Sequence, residues 1–141
     1  MTKAAPHTLA VRVYYEDTDF SGLVYHASYL RFMERGRTEL LRDLGLGQRE
    51  LLEAQGGLFF VVRALTIDFR KPAQMDDSLI VETIVREVSG ASFDLDQRVI
   101  RGEEPLVSAQ VRIAAVEGGR PRRMPADVRA KFLSVASPRG A

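Results

Sequence analysis

Between Arg12 and Arg37 the chain reads RVYYEDTDFSGLVYHASYLRFMERGR, and the residue types in this stretch can do chemistry. Two carboxylates, Asp17 and Asp19, sit in an acidic turn, Glu16-Asp17-Thr18-Asp19, just after an extended segment. Gly22 lets the backbone bend with a positive φ, which glycine adopts at little cost. His26 then stands at the start of a helical pattern. The first N–H groups of a helix have no partner inside it and can hold a developing negative charge. A carboxylate a few residues ahead of them can attack a carbonyl or activate water beside it. This is the layout of an acyl-transfer site.

The elements that must position these residues are legible from hydrophobic period. Leu9, Val11 and Val13 alternate with Ala10, Arg12 and Tyr14, which predicts a first strand. After the turn the period changes: Tyr29, Met33, Gly36, Leu40 and Leu44 step by three and four along one face of a long helix. Gly36 in mid-helix costs about 1 kcal/mol against alanine, so a close backbone approach is expected there. Gly45 and Gly47 end the helix, and Gln48 to Gln55 predicts a short second one. Strands are expected over Leu58 to Phe69, Leu79 to Val88, Phe93 to Val99 and Val107 to Val116, with a terminal helix over Ala126 to Val135. The links between strands are too short for crossover helices, so the sheet is antiparallel. The expectation is an α+β fold: a five-stranded antiparallel sheet wrapped around one long central helix, in a single domain over residues 1–141 with flexible ends at 1–7 and 137–141. Such a sheet leaves its edges open, and sheet extension between copies is the expected remedy.

Composition removes several classes of function. The 141 residues are 45% hydrophobic and 28% charged, with a formal net charge of +1. That balance argues against nucleic acid as the main partner, which needs clustered Lys and Arg in excess. The chain has no cysteine, so disulfides, thiolate catalysis and Cys-ligated zinc are excluded, and two histidines argue against a His-rich metal site. No apolar run approaches the ~20 residues needed to span a bilayer, and Met1 to Thr8 lacks the apolar core of a signal peptide. A cytoplasmic location is expected.

The run Arg12-Val13, four residues, Thr18-Asp19, two residues, Gly22-Leu23-Val24-Tyr25-His26 resembles the signature of the 4-hydroxybenzoyl-CoA thioesterase-like branch of the hotdog-fold superfamily. The fuller run YYEDTDFSGLVYHASYLRFMERGRTELLR is similar to the Tol–Pal-associated acyl-CoA thioesterases of Gram-negative bacteria. The resemblance continues through Phe60-Val61-Val62-Arg63 and Phe69-Arg70-Lys71-Pro72-Ala73 and covers most of residues 9–116. Leu23 stands where Ile or Val is more usual, and Asp76-Asp77 replaces the Gly-Asp that often opens the following strand.

The resemblance implies hydrolysis of acyl-CoA with no metal or other cofactor. It makes Asp19 the nucleophile or the base that activates water, a choice the sequence leaves open, with carbonyl polarisation by helix N-terminal amides around His26. A thiol leaves readily, its pKa lying near ~8.5, so no dedicated strong acid is required. His26 is expected to orient Asp19 or the water, and Tyr15 to shape the site. Gly22 and Tyr25 are expected at the substrate, as are the apolar Phe60, Val61 and Val62 as a wall for the acyl chain supplied across a subunit boundary. Coenzyme A phosphates need cations, and Arg70-Lys71, Arg98, Arg120 and Arg122-Arg123 are the available clusters, each of which also reads as solvated surface. Asp17 is expected to face away from Asp19 and to be structural. Acyl carrier protein is an alternative thioester carrier, and a homotetramer built from two dimers is the implied assembly. Two other readings remain: a non-catalytic acyl-thioester or protein-binding module, and a hydroxyacyl-thioester dehydratase. The absence of any later histidine argues against the dehydratase.

Overall fold

The computed structural model describes residues 5–139. Within them run β1 (His7–Arg12), a 3-10 turn (Tyr15–Asp17), α1 (His26–Asp43), α2 (Gln48–Ala54), β2 (Phe59–Phe69), β3 (Ser78–Val88), β4 (Ser92–Arg101), β5 (Glu104–Glu117), β6 (Arg120–Pro121) and α3 (Ala126–Val135). All strand pairings are antiparallel, and the order across the sheet is β1-β3-β4-β5-β2, with β6 paired to β5. The fold is α+β, as expected. The expected five strands become six, because the hairpin at Gly118-Gly119, both with positive φ, folds Arg120 and Pro121 back onto Glu117 and Val116. Two residues carry no period, so nothing in the pattern announces them. The long helix has two shorter companions, both at the predicted places.

Helix α1 lies across β1, β3 and β4. Its buried face carries Tyr29, Phe32, Met33, Gly36, Leu40 and Leu41. Opposite them stand Leu79, Val81 and Val85 of β3 and Phe93, Leu95 and Val99 of β4, all buried. A Cβ at Gly36 would lie 2.7 Å from Val81 Cγ1 and 3.2 Å from Gln97 Nε2, so the helix touches the sheet through its own backbone there. Gln97, fully buried, donates to the Met33 carbonyl and to Thr83 Oγ1, each at 3.0 Å, and accepts from Arg37 Nη1 at 3.0 Å. At the other end of the core Phe132 of α3 stacks on Phe93 with ring centres 4.1 Å apart.

The outer face of the sheet is a charged ladder, with Arg98 on Glu82, Arg86 on Asp96 and Arg112 on Asp94. Residues 1–4 and 140–141 of the expected flexible ends lie outside the described residues. His7 opens β1 opposite Thr83 and its Nε2 meets Asp43 at 2.8 Å. Ser137 N–H donates to the Val85 carbonyl and Arg139 N–H to Glu87. No helix among the described residues is long and apolar enough to cross a membrane.

Asp76 carries a φ of 70°. That left-handed conformation disfavours a side chain by ~1 kcal/mol or more. The turn keeps its hydrogen bonds regardless: Asp76 N–H donates to the Val13 carbonyl at 2.9 Å and Asp77 Oδ2 accepts from Gln74 N–H at 2.8 Å. Asp76→Gly is therefore expected to raise stability in urea unfolding by about 0.5–1 kcal/mol, net of glycine's greater freedom when unfolded. An unchanged or lower midpoint would mean that the turn bears no strain.

Candidate active site

The turn that carries the two aspartates is built from its own backbone. Asp19 N–H donates to the Leu23 carbonyl at 2.9 Å and Gly22 N–H to the Asp19 carbonyl at 3.0 Å. Gly22 has a φ of 82°, as its place in the turn requires. Asp17 and Asp19 have separate tasks. Asp17 is buried; its Oδ2 accepts from Tyr14 N–H at 2.8 Å, and its carbonyl accepts from Tyr25 N–H at 2.9 Å and Ser28 Oγ at 3.0 Å. It fastens the turn to the start of α1. Asp19 is exposed, and its Oδ1 accepts from both the N–H and the hydroxyl of Ser21, at 2.8 Å and 2.5 Å. The Ser21 hydroxyl, then the Ser21 N–H, hold the Asp19 carboxyl below the ordinary carboxylate range, and a positive charge on His26 pulls the same way.

Helix α1 begins at His26 without a side-chain cap from Tyr25. Ser28 N–H turns back to the Tyr25 carbonyl at 2.8 Å, while the amides of His26 and Ala27 make no backbone hydrogen bond among the described residues. Two donors and the positive end of an 18-residue helix dipole thus stand open at this corner. The His26 ring lies 4.4 Å from that of Tyr25 and 6.2 Å from that of Phe69. No hydrogen bond joins His26 to Asp19 among the described residues, so the influence of His26 on Asp19 in this structure is through charge.

A cleft of about 210 Å³ opens beside His26, lined by Val24, Tyr29, Phe69, Arg70, Lys71 and Pro72. Of the basic clusters that the sequence offers, the structure brings Arg70 and Lys71 beside the start of α1. Both are engaged, Arg70 with Asp68 at 3.0 Å and Lys71 with Glu104 at 2.5 Å. Of the other basic clusters, Arg98 is spent on Glu82 and Arg122 on Glu117. Tyr15 is 79% exposed in the 3-10 turn, and Tyr25 is exposed beside His26.

Phe60, Val61 and Val62 do not reach Asp19 within one chain. They line a second cavity of about 230 Å³, with Glu34, Arg37, Leu40, Leu41, Phe93, Leu95 and Ile113. Phe60 is buried there, held by Gln48 through Phe60 N–H at 2.8 Å, whereas Val61 and Val62 are exposed on the sheet edge. The helical period assigns Tyr29 to the buried stripe and to no further task. Tyr29, 3% exposed, accepts from Ala73 N–H through its hydroxyl at 2.9 Å, and Val24 N–H donates to the Ala73 carbonyl. Together they pin the segment after β2 against the helix start. The signal was available, since a tyrosine on an otherwise apolar buried stripe needs a partner for its hydroxyl. Among the described residues no group of three or more His, Cys, Asp and Glu is arranged to hold a metal ion.

A curled antiparallel sheet cupping a helix is the hotdog arrangement, and here a carboxylate stands ahead of the helix's open N-terminus. The chain belongs to the thioesterase-like superfamily, which it matches over residues 13–132. It is 51% identical over 124 residues to the acyl-CoA thioesterase YbgC of Haemophilus influenzae, covering 86% of this chain and 90% of that protein. It is 41% identical over 125 residues to the acyl-CoA thioester hydrolase YbgC of Escherichia coli O6:H1, covering 86% and 92%. A crystal structure described as a "Probable Thioesterase" from Bartonella henselae superposes with a TM-score of 0.83 at 48% identity, covering 86% of this chain and 100% of that one.

Proposed function

We propose that the protein hydrolyses an acyl-CoA thioester to the free acid and coenzyme A, with Asp19 as the reacting carboxylate. The observation that carries this is one corner of the molecule, where an exposed carboxylate with one oxygen unbound stands ahead of the unpartnered amides of His26 and Ala27. The relatives named acyl-CoA thioesterases support the choice of substrate class. The amides and the helix dipole stabilise the oxyanion as the carbonyl carbon becomes tetrahedral. Asp19 either attacks that carbon itself or takes a proton from the water that does. In both routes the C–S bond breaks, the thiolate leaves and is protonated, and the elements of one water end in acid and thiol. His26 tunes the charge at Asp19, and Tyr15, Tyr25 and Gly22 shape the entrance.

The acyl chain needs a wall that one protomer does not supply at Asp19. Strand β2 is an 11-residue edge strand with Val61, Val62, Leu65 and Phe69 exposed along it. Pairing of β2 with β2 of a second copy buries these side chains and satisfies the edge. Antiparallel pairing sets the Phe60–Val62 end of one strand near the Phe69 end of the other. The 230 Å³ cavity of one protomer then adjoins the Asp19 corner of its partner. Two such dimers make the tetramer, with Arg70 and Lys71 exchanging their carboxylate partners for coenzyme A phosphates at the mouth. The substrate pool places the enzyme in the cytoplasm, and acyl carrier protein, which presents a thioester on the same kind of arm, is a second carrier to be tried.

The test is thiol release from a panel of short, long and aromatic acyl-CoA esters and acyl-carrier-protein thioesters, with light scattering on the same sample. Turnover by an oligomer on one class of ester is the expected result. A folded protein that cleaves no member of the panel overturns the activity, and an active monomer overturns the shared wall.

A further inference from the structure

Resting on Asp19 as the reacting carboxylate, we infer that Ser21 is its positioning residue: two hydrogen bonds from Ser21 hold Oδ1 and leave Oδ2 as the oxygen that meets the thioester or its water. The Ser21 N–H lies 2.8 Å and its hydroxyl 2.5 Å from Asp19 Oδ1. No donor meets Oδ2 among the described residues. Any amino acid at position 21 would bring the N–H, because the turn is closed by Gly22 N–H on the Asp19 carbonyl and Asp19 N–H on the Leu23 carbonyl. The hydroxyl is what serine adds. It converts a single contact, about which the carboxylate can swing, into a two-point grip on one oxygen. An exposed aspartate on a turn otherwise samples its χ2 freely, and a misplaced reacting atom forfeits much of the advantage of proximity.

The same hydroxyl favours the charged carboxylate, so the grip has a signature in pH. The titratable groups around this corner are His26 on α1, Glu16 and Asp17 in the 3-10 turn, and Arg70 and Lys71 after β2. Asp17 spends its Oδ2 on Tyr14 N–H, and Arg70 and Lys71 are paired with Asp68 and Glu104. His26 adds a weaker pull in the same direction as Ser21. Removing the hydroxyl leaves the carboxyl easier to protonate. The acid limb of the rate profile, where activity is lost as Asp19 takes up a proton, then moves to higher pH.

The experiment is the pH dependence of kcat/KM for acyl-CoA hydrolysis by wild type, Ser21→Ala, Ser21→Thr and Asp19→Asn, each checked for fold by circular dichroism and thermal midpoint. Ser21→Ala is expected to lose about threefold at pH 8, in kcat rather than KM, and progressively more as the pH falls below about 4, with Ser21→Thr restoring the acid limb. A merely structural serine would lower the rate equally at all pH values, and an acid limb unmoved in Ser21→Ala, or displaced equally in Ser21→Thr, overturns the inference. If Asp19→Asn itself keeps its turnover, the catalytic assignment of Asp19 fails and Ser21 falls with it. If Asp19→Asn is dead and the Ser21→Ala limb stays put, Ser21 alone is wrong.

Discussion

The Asp19→Asn protein is expected to fold, assemble and bind acyl-CoA while releasing thiol about a thousandfold or more slowly than wild type. The substitution keeps the shape of the side chain and removes only its charge. An asparagine Oδ1 still accepts the Ser21 N–H and hydroxyl that hold Asp19 now. Asp19 is exposed and forms no ion pair among the described residues, so the fold has little to lose. The chemistry has everything to lose, because a neutral amide is neither a nucleophile toward a thioester nor a base toward water at neutral pH. The residual rate would come from the amides of His26 and Ala27, which the substitution leaves in place. Steady-state thiol release beside an acyl-CoA binding isotherm checks the claim. Unaltered binding with lost turnover is the expected pair, and turnover within tenfold of wild type would move the reaction to another carboxylate. Label found in Asp19 after a single turnover in ¹⁸O-labelled water would establish direct attack. Water that opens an Asp19–acyl anhydride at the aspartyl carbon leaves its label in the protein, whereas water activated by Asp19 as base leaves it in the product acid.

Asp17 and Asp19 lie two positions apart, which strand alternation would set on one face. The 3-10 turn at Tyr15–Asp17 breaks that period, so Asp17 is buried and tied to the backbone N–H groups of Tyr14 and Tyr25 while Asp19 stays in the open. The long helix, the strand sequence and the antiparallel sheet were legible, since period is a property of neighbours. What was not legible depends on partners far along the chain. Gln97 falls on the inward side of β4's alternation, yet only the fold brings it to Met33, Thr83 and Arg37. Tyr29 reaches Ala73, 44 positions away, to fix the wall of the cleft. The separation of Phe60–Val62 from Asp19 is of the same kind, because the period of β2 does not say which cavity its residues line. The Ser21 grip is local, but it depends on the turn's geometry and not on the residue pattern.

Gly36→Val is expected to destabilise the protein by about 3 kcal/mol, although helix propensity alone predicts a modest gain. Glycine in the middle of α1 is unfavourable, so a neutral surrounding would reward any replacement. The surrounding is not neutral. A Cβ at position 36 would stand 2.7 Å from Val81 Cγ1 and 3.3 Å from Thr83 Oγ1, both on a buried strand. Valine adds two further methyl groups to that overlap, and Val81, itself β-branched, has few rotamers in which to retreat. Relief requires α1 to lift from β3 and β4, which lengthens the Gln97 bond to the Met33 carbonyl and strands a buried amide. Because α1 also carries the His26 and Ala27 amides, the lift moves these proposed oxyanion donors relative to Asp19, and kcat should fall with stability. Urea unfolding of Gly36→Val, Val81→Ala and the double variant isolates the contact. Val81→Ala removes the Cγ1 methyl that the new side chain strikes, so the double variant should be more stable than the sum of the single losses allows. Strict additivity would place the cost of Gly36→Val elsewhere than in the contact between α1 and β3.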